Sequence, residues 1–464
     1  MDYSRVESYL DSFVNYEVLP GFGFAEAGYD LSHVRELLRR LGDPHLGPVT
    51  VHIAGSKGKG SVAAMMASVL GACGTRTGLY TSPHLLHLGE RIQVGGVPVT
   101  PGEMSEALDL VKPHLESMAA EGCWRRHTYF ELLTALAFVH FRKAGVEAQV
   151  IEVGLGGRLD ATNVVEPDVC VVTPISLEHT AVLGRTVGRI AREKAGIIKS
   201  DATVVTAPQP VEALHVIQRR CEALGVDLCE VGRDATFDVV RHDLRGQTVA
   251  IEGPSGRRVV TVPLAGSCQA ENVATAVLAL DALARQVPAL EAACIERGFA
   301  SVSWPGRMQV LAERPLLVVD GAHNAASMRC LARSLDAPGV PRPLVFVLGF
   351  SADKDVEAAA AELVGCGGRF VIAKSSQPRA AAPADIAGRL TGLGVECVCE
   401  PVPAEAVIRA ARIAGPGGTV CVAGSLYLVA DVLREIRDTY LISGRDLAFG
   451  AGDAGRGRSK NEMR

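Results

Sequence analysis

Residues 49–61, reading VTVHIAGSKGKGS, constrain the fold more than any other stretch of the chain. An apolar β-branched run (Val49, Val51, Ile53) leads into Gly55, Gly58 and Gly60, with Ser56, Lys57 and Lys59 between them and Ser61 following. A helix-like run over 62–70 comes next. Strand, glycine turn and helix start together make a phosphate cradle. Glycines let backbone N–H groups approach phosphate oxygens, the helix N-terminus adds a positive dipole, and a lysine adds charge. The stretch departs from the strict G-x-x-x-x-G-K-[ST] pattern, because its glycines are closer and Gly60 separates Lys59 from Ser61. Taken alone, it also fits a glycine-rich turn with surface lysines.

Strand and helix patterns then alternate. Apolar strand candidates fall at 76–80, 148–153, 168–175 and 203–207, with helix patterns at 100–118, 128–141, 186–195 and 211–224. Thr100 and Pro101 suit a helix cap and first helical position. The alternation predicts an α/β fold with a mostly parallel, doubly wound sheet, whose active loops belong at the carboxyl ends of strands. The cradle, the Ser82 turn, the loop after Glu152 and the loop at His179 each follow a strand candidate, so they are expected at one edge. Residues 1–47 read as helical, with Val34, Leu37, Leu38 and Leu41 at helical spacing. The 19–24 loop carries Phe22 and Phe24, placed either over a site or in packing.

Residues 236–263 alternate apolar and polar around a Gly-Pro-Ser-Gly turn, which predicts a small antiparallel insertion. A helix over 271–284 is expected to close the first domain, and 303–307 to mark its boundary. A second alternation follows, with strands at 316–319, 344–348, 369–373, 395–399 and 419–423. The expected division is a first domain over 1–300, a second over 301–442, and a disordered tail over 443–464.

At 464 residues, 48% hydrophobic and 21% charged, the chain suits two or three globular domains. A net charge of -5 argues against a nucleic-acid surface. No apolar run reaches about 18 residues, so no membrane span is expected. The opening MDYSRVESYLDSF lacks the basic and apolar regions of a leader, and a cytoplasmic protein is expected. The 12 cysteines form no C-x-x-C pair, which argues against structural zinc and for reduced, mostly buried thiols.

Ser61, Ser82 and Glu152 are oxygen donors in strand-end loops and suit Mg²⁺; His179 is a less usual ligand. Ser82 also reads as a turn cap before Pro83, and His179 as a structural hydrogen-bond partner beside Glu178. Lys194 reads first as a surface lysine of a helix. Arg307 suits either a charge clamp on a transferring phosphate or a salt bridge between domains. Asp320 and His323 sit in a strand-end turn, either to bind ribose, phosphate or an amino-acid carboxylate or to stabilise the turn.

Together these stretches resemble the folylpolyglutamate synthase and dihydrofolate synthase family of the Mur ligase superfamily. The resemblance rests on AGSKGKGS at 54–61, TSPHL and ERI within 81–92, TYFELLT at 128–134 and EVGLGGRLDATN at 152–163. It continues through EHTAVLGRTVGRIAREKAGIIK at 178–199, ENVATAVLAL at 271–280, PGR at 305–307, DGAHN at 320–324 and GSLYLV at 424–429. It implies a P-loop-type Mur ligase central domain and a smaller Rossmann-like C-terminal domain that binds glutamate. It further implies an ATP-dependent amide ligase, in which ATP phosphorylates the carboxylate of dihydropteroate or a reduced folate and L-glutamate attacks the acyl phosphate. By the same resemblance, residues 55–61 hold the ATP phosphates. Ser61, Ser82, Glu152 and His179 hold two Mg²⁺, with a carbamylated Lys194. Asn272 contacts adenine, Arg307 the phosphates and Asp320 the ribose; Lys59, Lys194, Arg307 and His323 form the catalytic set. His323 and Ser425 match glutamate-site positions, with Arg91 and Phe130 among substrate contacts. Phe22, Phe24, Phe130 and the insertion are placed on the pterin side. A monomer without redox cofactor, nucleic acid or membrane partner is implied. Three departures stand out: Ser56-Lys57 where Thr-Asn is common, Glu178 where Asp often precedes the histidine, and Ala325 where proline is common. The competing readings are a Mur-type ligase acting on a cell-wall precursor and a non-catalytic nucleotide-binding regulator. The TSPHL–ERI pair and the lack of a separate N-terminal nucleotide-sugar domain argue against the first. The full Lys59, Glu152, His179, Lys194 and Arg307 set argues against the second.

Overall fold

The computed structural model describes residues 3–16, 30–122, 127–337, 339–439, 442–443 and 446–447. Phe22 and Phe24, and residues 448–464 of the expected tail, lie outside the described residues. Residues Ile442–Ser443 pair antiparallel with Asp446–Leu447, so the start of that tail has structure. The chain forms two compact units, Met1–Arg307 and Met308–Arg464.

The first unit is built on an eight-stranded sheet. Its strands are β1 (Val49–Ala54), β2 (Thr77–Tyr80), β3 (Ile92–Val94), β4 (Val97–Pro98), β5 (Ala148–Glu152), β6 (Val169–Val172), β7 (Thr203–Thr206) and β8 (Leu228–Glu230). They lie in the order β4-β3-β2-β5-β1-β6-β7-β8. From β2 to β8 along the sheet all pairings are parallel. The β3 and β4 edge is antiparallel. Sequence patterning misses that edge, because strands so short carry no measurable alternation. The sheet is therefore mixed, with a dominant parallel core.

Helices cover both faces, as parallel sheets require. They are α1 (Ser4–Asp11), α2 (Ser32–Arg40), α3 (Lys59–Ala72), α4 (Pro101–Glu121), α5 (Tyr129–Lys143), α6 (Thr180–Leu183), α7 (Val187–Ala195), α8 (Val211–Leu224), α9 (Gln269–Leu283) and α10 (Ala292–Ala300). Val51 and Ile53 of β1 point into a core with α3, α9 and α10. Tyr80 and Ile151 face the other side, into a core with α1, α2, α4 and α5. Each fully buried Val, Ile or Leu stabilises by about 1.5–3 kcal/mol. The α4 start carries a capping box, with Thr100 and Glu103 each bonding the other's backbone N–H. Thr128 and Glu131 do the same for α5.

Two expectations fail here. The first unit does not close on α9, since α10 follows and packs on α3. The thiols are not all reduced, since Cys73 at the end of α3 is disulfide-bonded to Cys294 of α10, with Cα atoms 5.1 Å apart. A separation of 221 residues leaves no spacing signal for that bond. The insertion forms a three-stranded antiparallel sheet of β9 (Thr236–Asp243), β10 (Gly246–Gly253) and β11 (Gly256–Val262). Its Val249, Ile251, Val260 and Val262 bury against α9, on the Val51 side of the sheet. Phe130 packs on the opposite side, so the insertion and Phe130 do not share a face. One-sided alternation predicts that a sheet buries one face but not against which layer.

The second unit has a six-stranded sheet of β12 (Gln309–Glu313), β13 (Leu316–Val319), β14 (Leu344–Leu348), β15 (Arg369–Ile372), β16 (Cys397–Cys399) and β17 (Thr419–Ala423). The order is β12-β13-β17-β14-β15-β16, parallel except at β12. Helices α11 (Ala325–Leu335), α12 (Val356–Val364), α13 (Pro383–Gly392) and α14 (Pro403–Ala414) connect its parallel strands, and α15 (Leu426–Thr439) follows β17.

Candidate functional site

Strands β2, β5, β1 and β6 are neighbours, so the loops leaving their carboxyl ends converge. The cradle leaves β1. Gly55 has φ +151°, and a Cβ there would lie 1.8 Å from the Thr173 hydroxyl oxygen. Gly58 is left-handed at φ +84° and faces the Asn272 amide, whose oxygen would be 2.3 Å from an added Cβ. Only glycine fits at either point. The backbone N–H groups of Ser56 and Lys57 both donate to Pro174 O, and Ser56 Oγ donates to Ser176 O. The loop after β6 thus holds the cradle from below.

Lys59 opens α3, and its ammonium lies 3.2 Å from Gly55 O and 3.9 Å from Glu152 Oε1. Glu152 ends β5, is 5% exposed and accepts from Ser82 N at 3.3 Å. Burial raises its carboxyl pKa, against the pull of Lys59, the Ser82 N–H and Arg307. Lys194 is not a surface residue. It is 2% exposed and donates to Gly55 O at 2.7 Å and to Glu178 Oε1 at 2.9 Å. Burial lowers its pKa, while Glu178 raises it. Lys57 approaches the other Glu178 oxygen at 3.6 Å. Burial pushes the Glu178 carboxyl up, but Lys194, Lys57 and Lys59 outweigh it and hold it well below the usual range. Three lysines and Arg307 therefore face Glu152, Glu178 and the buried Asp160 in this chamber. The excess is cationic in a chain of net charge -5, which suits an anionic ligand.

The other expected residues divide. Ser61 is buried, and Gln269 Nε2 lies 3.4 Å from its hydroxyl; Gln269 also accepts from Asn272 Nδ2 at 2.8 Å. His179 is exposed, left-handed at φ 46°, and caps the short α6. Among the described residues, no group of three His, Cys, Asp or Glu side chains is poised around a metal position. The donor chemistry nevertheless fits Mg²⁺. Glu152 is a buried carboxylate whose nearest ammonium is 3.9 Å away, and the Ser61 and Ser82 hydroxyls are hard oxygen donors. Arg91 is buried, donates from Nε to His84 Nδ1 at 3.0 Å, and lies 5.9 Å from the Tyr129 ring centroid. Phe130 packs on Gly154 and lies 5.9 Å from the Tyr80 ring.

In the second unit the loops after β13 and β17 meet, where Gly424 N donates to Ala322 O at 2.7 Å. Asp320 accepts from Met308 N and Ala322 N, both at 2.8 Å. His323 Nδ1 lies 2.8 Å from Gly321 O, which places a hydrogen on Nδ1 and makes the ring the donor. Ser425 is buried and accepts from Tyr427 N at 3.1 Å. Asn324 caps α11 by accepting from Ser327 N, in a helix start that also accepts Ala325.

Sequence reasoning missed several supports of the site: Thr173 under Gly55, Gln269 under Ser61, His84 on Arg91 and Asp160. Asp160 is buried and accepts from Leu155 N and Thr162 N, fixing the loop after Glu152. Only Asp160 and His84 lie within quoted motifs, where they gave a local signal.

Residues 53–280 match the Mur ligase middle domain, and 306–426 match the Mur ligase glutamate ligase domain. A Haloferax volcanii protein described as a probable bifunctional folylpolyglutamate synthase/dihydropteroate synthase is 38% identical over 93% of this chain and 50% of its own. The chain thus spans about half the length of that relative. The Escherichia coli dihydrofolate synthase/folylpolyglutamate synthase is 34% identical over 88% of this chain and 91% of its own. The Mycobacterium tuberculosis folylpolyglutamate synthase, solved with ADP and AMPPCP, superposes with a TM-score of 0.85 at 30% identity, covering 96% of this chain and 99% of that one.

Proposed function

Because the chain belongs to the folylpolyglutamate synthase/dihydrofolate synthase family of the Mur ligases, we propose that it is an ATP-dependent ligase. It joins L-glutamate to the carboxylate of dihydropteroate or a reduced folate. The observation that carries this reading is the cationic chamber of Lys57, Lys59 and Lys194 around the glycine cradle, at the carboxyl edge of four adjacent strands.

A carboxylate is a poor electrophile. Transfer of the γ-phosphoryl group from ATP to one carboxylate oxygen releases ADP and creates a leaving group. The glutamate amine, after losing a proton, attacks the carbonyl carbon, and phosphate leaves as the amide forms. Cradle N–H groups and Lys59 hold the phosphates, and Arg307 clamps the charge that develops on transfer. Asn272 is assigned to adenine and Asp320 to ribose. His323 and Ser425 are assigned to glutamate, and Arg91 and Phe130 to the pterin substrate. Ser61, Ser82, Glu152 and His179 would hold Mg²⁺, which neutralises phosphate charge when bound.

Lys194 is assigned as the carbamylated residue. Its buried, lowered pKa favours the free amine that takes up CO₂ with loss of one proton; the ion pair with Glu178 opposes this and must open. Intact-mass analysis with and without bicarbonate tests that assignment. A cytoplasmic monomer completes the reading.

Release of ADP from purified protein tests the function. ADP is expected only when glutamate is present with dihydropteroate or tetrahydrofolate, and comparing those two acceptors assigns the preferred substrate. Release without glutamate, or none with any pterin acceptor, overturns the reading.

A further inference from the structure

A groove of about 330 Å³ lies on the first unit, lined by Arg158, Arg192, Arg219 and Arg220 with Ala195 and Val216, none of them a residue of the cradle loop. Helices α7 and α8 pack together here, and the loop after β5 supplies Arg158. No acidic side chain lines it. Glu193, beside it, already pairs with Arg158, whose Nε and Nη2 lie 3.1 and 3.0 Å from Oε1. Arg220 donates to Ile198 O at 3.1 Å, which leaves its charge uncompensated. Among the described residues, the Arg192 and Arg219 guanidinium groups have no hydrogen-bond or ion-pair partner.

The walls are fixed. Arg158 N donates to Glu193 O at 2.8 Å, and Asn163 Nδ2 donates to both Arg158 O and Gly196 O. Four arginines against one glutamate leave a surplus of three positive charges in one concavity. Like charges held together cost energy unless a counter-charge arrives, and a chain of net charge -5 has ample acids to place there. Planar guanidinium forks match phosphate and carboxylate oxygens in pairs.

We propose that this groove binds a small anion carrying several phosphate or carboxylate groups, at a site distinct from the cradle. The proposal stands independently of the ligase reading.

Calorimetric titration with tripolyphosphate tests it in the Lys59→Ala variant, which lacks one of the two cradle lysines, and in the same variant carrying Arg192→Glu and Arg219→Glu. Both arginines are exposed, so both proteins are expected to fold, with matching circular dichroism. One site is expected in Lys59→Ala, weakened at least tenfold by the two charge reversals. No binding in Lys59→Ala, or a change below tenfold, overturns the proposal. Repeating the titration with tri-γ-glutamate separates phosphate from carboxylate as the preferred group.

Discussion

At the carboxyl edge of the first sheet, side chains answer one another by charge; at that of the second, they answer backbone. Lys57, Lys59 and Lys194 converge on Glu152 and Glu178. Asp320, His323 and Ser425 instead engage main-chain groups, those of their own turns and, for Asp320, also Met308 N ahead of β12. Both edges follow the same rule of parallel strands and carboxyl-end loops. The difference is what each loop needs to keep its shape. Glycine geometry and the Pro174 carbonyl shape the cradle, so its lysines can answer a ligand. The turn after β13 takes its shape partly from Asp320 itself.

The sharpest break of this contrast is Lys59→Ala. If Lys59 serves the ligand and not the fold, turnover falls by at least about 100-fold. Far-UV circular dichroism and the melting temperature stay near wild type. Wild-type turnover would remove the cradle from the mechanism; a collapsed melt would erase the contrast between edges.

The next largest effect concerns what anchors the cradle helix at its far end. Converting Cys73 and Cys294 to serine opens a loop of 221 residues and is expected to cost about 2–5 kcal/mol. A lowered denaturation midpoint, reproduced by reducing the wild-type protein, checks it. An unchanged midpoint in both would mean that the packing of α10 on α3 suffices.

A smaller effect is expected in the second unit. Asp320→Ala strands two backbone N–H groups and should destabilise by about 1–3 kcal/mol. Asp320→Asn keeps one accepting oxygen and should recover part of that. Stability loss here, with none at Lys59, is the signature of the contrast. Chemical denaturation of both variants reads it directly.

These contacts also show how far the sequence could be read. The cradle is legible because its glycines, lysines and flanking strand are consecutive. Strand candidates surfaced because buried parallel strands are continuous apolar runs. The bond from Lys194 to Gly55 spans 139 residues and that from Gln269 to Ser61 spans 208. Periodicity reports that a face is buried, not what it meets. Lys194 shows the cost, since its helical spacing alone looks like that of a surface lysine.

Glu271 gives the smallest and most exacting test, because it departs from the first unit's own pattern. It sits in the first turn of α9 beside Asn272, and burial alone pushes its carboxyl up to about 7. No lysine offsets that, unlike at Glu178. The signs are opposite. For Glu178, held low by its lysines, the stabilisation is present above its unfolded value near 4.5 and is lost as pH falls through the folded value. For Glu271, with a raised folded value, stabilisation is present below about 4.5 and is lost as pH rises towards 7. Partial exposure and the favourable helix N-terminus screen the penalty to about 1 kcal/mol. Glu271→Gln should therefore match or slightly trail wild type at pH 5 and exceed it at pH 8 by that amount. Urea midpoints across this range measure it. A Glu271→Gln advantage that does not grow with pH would mean that a cation reaches this carboxyl too, and that charge pairing extends along the whole edge of the first unit.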